Sequence, residues 1–329
     1  MAVASAASME STGTDSDAGV RVVGGGRLPV LSLPKTPGHL LRRAQQVHTA
    51  MWAEYTRTEL TGPQYGVLAS LASEPLIDQT RLGELASLDK NNTADVVARL
   101  TRRGWIRRSV DPADQRRRVL ELTPPAKVAM REITPVVQRV QDGLLELVPP
   151  EGREELLRML AAIAYQQGEP PSPASPPDGL PMLSLPLSPG YLIRRAQRVH
   201  GAIWARDVGT GITGPQYAVL VALAGEPGAD QVTVGRLASL DRSSTADIVA
   251  RLLRAGWVRQ ERRPGYGRRS ILSLTPGAEA ALRRFTPKAA AVQRDLLSPL
   301  SPADAAAFPG WLACVAFLGY PPCPDLRTA

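Results

Sequence analysis

Two stretches of this 329-residue chain are copies of one another. Residues 33–124 and 185–276 align without a gap at a constant offset of 152, with 52 identities in the 92 positions. Shared composition does not produce a gapless match of that length; duplication does, and the two copies must be able to adopt one fold. Two copies are too few for a solenoid, in which a row of neighbours builds the core.

Each copy is centred on one segment, Leu85 to Thr123 (LASLDKNNTADVVARLTRRGWIRRSVDPADQRRRVLELT) and Leu237 to Thr275. In the first, the spacing predicts a short helix ending at Leu88, a turn, and a second helix over about residues 90–103. Val96, Val97 and Leu100 are its apolar contacts and Gly104 is its stop. Residues 105–108 and 119–122 read as strands, joined by a polar loop holding Asp111-Pro112 and three consecutive arginines. A helix-turn-helix backed by two strands and a basic loop is a winged helix. The expected class is mainly α with small β-wings, built as two winged helix-turn-helix domains with terminal helices.

That arrangement points to DNA. A helix fits the major groove, and the residues at its start, Lys90, Asn91, Asn92 and Thr93, are expected to face base edges. Arginines flank it on both sides, Arg116 and Arg117 in the wing among them, where phosphates would lie. The second copy offers Arg242, Ser243, Ser244 and Thr245, with Arg268 and Arg269 in its wing. Asn reads adenine with two hydrogen bonds, Arg favours guanine and Ser is tolerant, so two unlike half-sites are expected. Arg263 and Tyr266 replace Asp111 and Asp114 in the second wing, and Gly265 and Gly267 make it looser. A net charge of +8 agrees with a polyanionic partner.

The segment resembles the multiple-antibiotic-resistance-regulator (MarR) family. The matching residues are Leu85-Ala86 with Leu88, the run Gly104-Trp105-Ile106 with Arg108, and above all Asp111-Pro112, Asp114 and Arg116 followed by Leu122-Thr123. The resemblance implies a dimer of winged helices clamped by helices from both chain ends, with recognition helices about one DNA turn apart, roughly 34 Å. It implies a transcriptional repressor that releases a quasi-palindromic double-stranded operator when a small aromatic or phenolic ligand binds. It places the ligand between the first helix, the next one and the winged-helix body. The candidates there are His48, Trp52 and Tyr65, and His200, Trp204 and Tyr217 in the second copy. Core packing explains the same residues. A non-sensing architectural DNA binder and a protein-interaction scaffold are the alternative functions.

The chain divides into a disordered leader (1–30), a first repeat (31–165), a proline-rich linker (166–182), a second repeat (183–320) and a tail (321–329). Extended at about 3.1 Å per residue, the linker reaches roughly 50 Å, enough for the copies to pack on each other. An intrachain pseudo-dimer is therefore favoured over pairing between two chains. The leader has no apolar periodicity and is no signal peptide, and the apolar run near the C-terminus is too short to span a bilayer, so a cytoplasmic, nucleoid-associated protein without membrane contact is expected. Catalytic and metal-binding motifs are absent: the only histidines are His39, His48 and His200, and Cys314 and Cys323 form no CxxC pair. No enzyme activity and no cofactor are expected. The two cysteines read as free thiols of a reducing compartment, although a disulfide between them is open.

Overall fold

A computed structural model describes residues 19–24, 28–56, 60–111, 114–166, 168, 179–262 and 270–318. Up to Tyr165 these form β1 (Val20–Val23), β2 (Leu28–Leu31), α1 (Pro37–Thr56), α2 (Gly62–Ser73), α3 (Gln79–Ala86), α4 (Lys90–Arg102), β3 (Ile106–Val110), β4 (Arg118–Leu122), α5 (Pro124–Glu146) and α6 (Pro150–Tyr165). The second repeat gives α7 (Pro189–Asp207), α8 (Gly214–Gly225), α9 (Gln231–Leu237), α10 (Arg242–Arg254), β5 (Val258–Arg262), β6 (Ser270–Leu274), α11 (Pro276–Leu297) and α12 (Pro302–Ala316). Both repeats are winged helices, as expected.

Local chemistry accounts for the boundaries. Thr61 starts α2 with a capping box: it accepts from Gln64 N, and the Gln64 side chain accepts from Thr61 N. Thr213 and Gln216 repeat the device in α8. Tyr65, Val67, Leu68 and Leu71 on α2 are each no more than 1% exposed. Burying each of the large ones contributes about 1.5–3 kcal/mol. The wings are antiparallel pairs in matching register, Ile106 opposite Leu122 and Val258 opposite Leu274. Pro135 lies inside an uninterrupted α5, where Thr134 and Val137 on either side are buried and held by packing.

The chain folds as two compact units whose limits are not those of the repeats. The larger comprises Pro37–Ala202 and Leu296–Ala329. It holds the first winged helix, most of α7, and α12. Within it α12 packs along α1 and α6. The Nε of Arg43 donates to Ala316 O at 2.6 Å, its guanidinium stacks 4.6 Å from the Phe317 ring centroid, and Arg158 pairs with Asp304. The last helix of the second repeat is thus built into the body of the first.

The smaller unit comprises Met1–Thr36 and Ile203–Asp295. It contains the second winged helix together with the β1–β2 hairpin. This corrects the expected disordered leader at residues 20–23 and 28–30, which are strands, while residues 1–18 and 25–27 lie outside the described residues. Four-residue strands are too short to register as periodicity. Leu28, Val30 and Leu31 are buried by the tertiary fold, β2 lying on α8.

One hydroxyl relay recurs in both units. In the larger, Leu183 N donates to Tyr65 Oη (3.1 Å), Tyr65 Oη lies 3.0 Å from Thr134 Oγ1, and Thr134 Oγ1 donates to Pro181 O (3.0 Å). The smaller has Leu31 N to Tyr217, Tyr217 to Thr286, and Thr286 to Pro29 O. Because the threonine proton goes to the proline carbonyl, the tyrosine donates to the threonine. Each relay fastens the arm preceding one repeat onto the winged helix of the other. Residues 179–182, at the end of the expected linker, are therefore docked, with Leu180 2% exposed. Cys314 is disulfide-bonded, which corrects the expected free thiol; Cys323 lies outside the described residues.

Candidate nucleic-acid interface and effector cavity

The helices expected to read DNA, α4 and α10, begin at aspartates. Asp89 caps α4 by accepting from Asn92 N at 2.9 Å, and Asp241 caps α10 by accepting from Ser244 N at 2.8 Å. Asn92 Nδ2 also donates to Asp89, and the Ser243 and Ser244 hydroxyls both donate to Asp241. These hydrogen bonds hold both carboxyls below the usual carboxylate range: at Asp89 those from the Asn92 backbone and then its side chain, at Asp241 those from the Ser244 hydroxyl and then its backbone. Lys90, Asn91, Asn92, Arg242 and Ser243 are exposed and Ser244 is half-buried, so these six expected readers stand at the surface.

Thr93 and Thr245 do not. They are 1% and 2% exposed, and their hydroxyls donate back to Asp89 O and Asp241 O at 2.7 Å. Each packs where α3 or α9 crosses the recognition helix: a Cβ on Gly83 would lie 2.8 Å from Thr93 Oγ1, and one on Gly235 2.7 Å from Thr245 Oγ1. Their expected role in facing base edges is corrected to one in helix packing. Helical spacing carries the fourth residue round to the side facing the neighbouring helix.

In the first wing Arg116 is exposed and has no ion pair among the described residues. Arg117 is also exposed, but it pairs with Asp78, the N-cap of α3, at 2.9 Å and with Asp111 at 3.4 Å. Arg117 is a strut between wing and body, and in this arrangement its charge is already compensated. The Arg116 N–H donates to Asp114 Oδ1, so that aspartate shapes the loop. Arg268 and Arg269, with Arg263, Gly265, Tyr266 and Gly267, lie outside the described residues.

His48, Trp52 and Tyr65 come together in the larger unit as a packed cluster. His48 meets Trp52 edge-on at 6.0 Å, and Trp52 lies 6.0 Å from Tyr65. Trp52 Nε1 donates to Leu60 O, and the Tyr65 hydroxyl is committed to its relay. Burial, and secondarily the nearby Arg194, lowers the pKa of His48 to about 4, so its ring is neutral at pH 7. In the second trio, Trp204 and Tyr217 pack in the smaller unit 6.0 Å apart. His200 belongs to the larger unit, against Gly38, with its pKa lowered to about 4 by burial and then by Arg42. Within either unit this trio is not assembled.

Sequence reasoning missed a cavity of about 360 Å³ in the larger unit. The start of α2 (Pro63), the helix α4 with its cap (Asp89, Asp95, Arg99) and two arginines of α7, Arg194 and Arg198, wall it together with Val96. Arg194 donates to Ala86 O at 3.0 Å, but its Nε is shut off from solvent without a partner, and no carboxylate pairs with it among the described residues. Burial lowers its pKa to about 10, which leaves it charged. The signal present in the sequence was Arg194 and Arg198, four residues apart and so on one face of a helix.

Among the described residues no group of three or more His, Cys, Asp or Glu could hold a metal ion, and no helix is long and apolar enough to cross a membrane.

Comparison with known proteins agrees with this geometry. Two family profiles, both described as MarR family, match residues 60–117 and 210–269. The transcriptional regulator HosA of Escherichia coli O111:H- is 35% identical over 122 residues, covering 37% of this chain and 90% of HosA. The HTH-type transcriptional repressor NicR of Pseudomonas putida is 29% identical, covering 32% of this chain and 67% of NicR. Among solved structures, the PcaV transcriptional regulator of Streptomyces coelicolor in complex with its natural ligand is 42% identical. It covers 39% of this chain and 91% of PcaV, with a TM-score of 0.38. With nine-tenths of HosA covered at that identity, and the same family matched once in each repeat, the chain belongs to the MarR family.

Proposed function

We propose that this MarR-family transcriptional regulator is a repressor released from its operator by a small anionic aromatic molecule, and that one chain supplies both reading heads. DNA binding and repression are in keeping with its relatives, which are named as regulators and repressors. The reading of effector chemistry rests on Arg194. A buried guanidinium without a carboxylate is costly, and a carboxylate or phenolate entering the cavity would supply the missing partner. Its ring would then lie against Val96 and Arg99 of the recognition helix, so occupancy can favour one setting of that helix over another.

The pseudo-dimer reading is supported by composition of the units. Each contains segments of both repeats, so the exchange of terminal elements that a family dimer makes between chains is made here within one. Because Lys90-Asn91-Asn92 and Arg242-Ser243-Ser244 differ, the operator is expected to hold two unlike half-sites.

The test is a titration of the full chain, bound to the duplex upstream of its own gene, with benzoate and 4-hydroxybenzoate. Release by either, abolished in Arg194→Gln, is the expected result. Bound complexes indifferent to both at millimolar concentration would sink the effector reading and favour an architectural binder; absence of binding to any duplex would favour a scaffold. A solution mass near 35.3 kDa for the free chain, and near that value plus one duplex for the complex, supports one chain per operator, and two chains in either rejects the pseudo-dimer.

A further inference from the structure

The C-terminal end of α3, the first helix of the helix-turn-helix, is completed by a helix from the other repeat. The last four carbonyls of an α-helix find no partner within it. In α3 the following turn serves two of them: Leu88 N donates to Gly83 O at 2.8 Å and Ser87 N to Glu84 O at 3.2 Å. The other two are served by α7. Tyr191 Oη donates to Leu85 O at 2.9 Å and Arg194 Nη2 to Ala86 O at 3.0 Å. Arg198 continues the row, its Nη1 donating to Ser87 Oγ at 3.3 Å. Spacings of three and four put these side chains on one face of α7, and the guanidinium groups oppose the negative end of the α3 dipole.

The segment so held is the one that aims the reading head. Ser87 is 1% exposed and adopts the left-handed conformation, with a φ of 53°. Two residues later Asp89 caps α4, and the charge of Arg198 adds to the hydrogen bonds that keep its carboxyl ionised. Arg198 also lines a second cavity, of about 300 Å³, with Gln79, Lys90 and Thr93.

We propose that Tyr191 and Arg198 are positioning residues for the reading head of the first repeat, so that the long helix of the second repeat sets how α4 meets DNA. This extends the DNA-reading role proposed above. The residues at the matching positions of α1 are His39, Arg42 and Gln46, of which only the middle one is shared.

Arg198→Gln, which installs the residue found at position 46, tests the proposal in the full chain. Without DNA, amide exchange at Ser87 and Leu88, whose N–H groups bond to Glu84 O and Gly83 O, is expected to quicken about threefold to tenfold, the effect of losing one modest hydrogen bond, with Ser239 and Leu240 unchanged. Arg198→Lys, which keeps a charged donor, should recover part of the protection. On the duplex, affinity should fall about threefold to tenfold and footprint protection should weaken in one half only, with the salt dependence unaltered because no phosphate contact is removed. Unchanged exchange at Ser87 and Leu88 overturns the proposal whatever happens on DNA. Equal loosening of both heads, or a shallower salt slope, overturns it as well, the latter making Arg198 a phosphate ligand. Should the wild-type chain bind no duplex, the DNA reading fails by itself and the exchange result still decides whether the helix cap exists.

Discussion

The two winged helices share their supports and differ in what they present. Gly83 against Thr93 and Gly235 against Thr245 make the same close crossing, and the Tyr65–Thr134 and Tyr217–Thr286 relays make the same lock. The surfaces have parted. Asn91 and Asn92 stand where Ser243 and Ser244 do, and the Asp78–Arg117–Asp111 strut of the first wing has no acid at 263 or 266 to repeat the Asp111 and Asp114 pattern. At these crossings and relays the copies agree; at the starts of α4 and α10 and in the wings they diverge. That pattern is in keeping with the proposed pair of unlike half-sites.

The largest expected difference between the units is in their response to acid. His39, His48 and His200 all belong to the larger unit, with pKa values lowered to about 3, 4 and 4, mainly by burial. Between those values and the ordinary 6.5 the unfolded chain binds more protons than the folded one, so stability rises with pH across that window and is lost as pH falls through it. Each histidine contributes a slope of about 1.4 kcal/mol per pH unit. Segment-resolved amide exchange from pH 7 to 4.5 should show the larger unit opening first; the reverse order would break the comparison.

Close packing comes next. Gly83→Ala and Gly235→Ala should each destabilise their own unit by about 1–3 kcal/mol in denaturant unfolding, since the added methyl meets a threonine held on both sides. A large effect at one glycine and none at the other would show that the crossings are not equivalent. On DNA, Asn91→Ala should relax base preference in one half-site by about 1–3 kcal/mol, whereas Ser243→Ala should change little, because its hydroxyl already donates to Asp241. Selection of binding sites from random duplexes would read both. Tyr65→Phe and Tyr217→Phe should cost similar amounts, about 1 kcal/mol each, if the relays do the same task. The smallest effect is expected from Arg116→Ala, which should lower the slope of log affinity against log salt by about 0.9, as for one phosphate contact. An unchanged slope would remove Arg116 from the interface.

Much of this was legible without coordinates. The gapless duplication showed that one fold is made twice, and the turn at Leu88–Asp89 and the Gly104 stop are signals contained within a few residues that each produced the element they imply. The exposed readers Lys90 and Asn91 followed from their place at the helix start. Thr93 was misassigned because only the crossing of α3 shows which side of the first turn is occupied.

What the sequence determined by itself was the content of each repeat: its helices, its wing and the residues its reading head offers. What only the tertiary structure decided was which pieces complete which unit. Tyr191 bonds to Leu85 across 106 positions, Leu31 to Tyr217 across 186 and Arg43 to Ala316 across 273. Periodicity and capping act between near neighbours in the chain, so they carry no information about such partners. A duplicated chain also offers each arm two nearly identical surfaces, and the choice between them is made by the free energy of the assembled units.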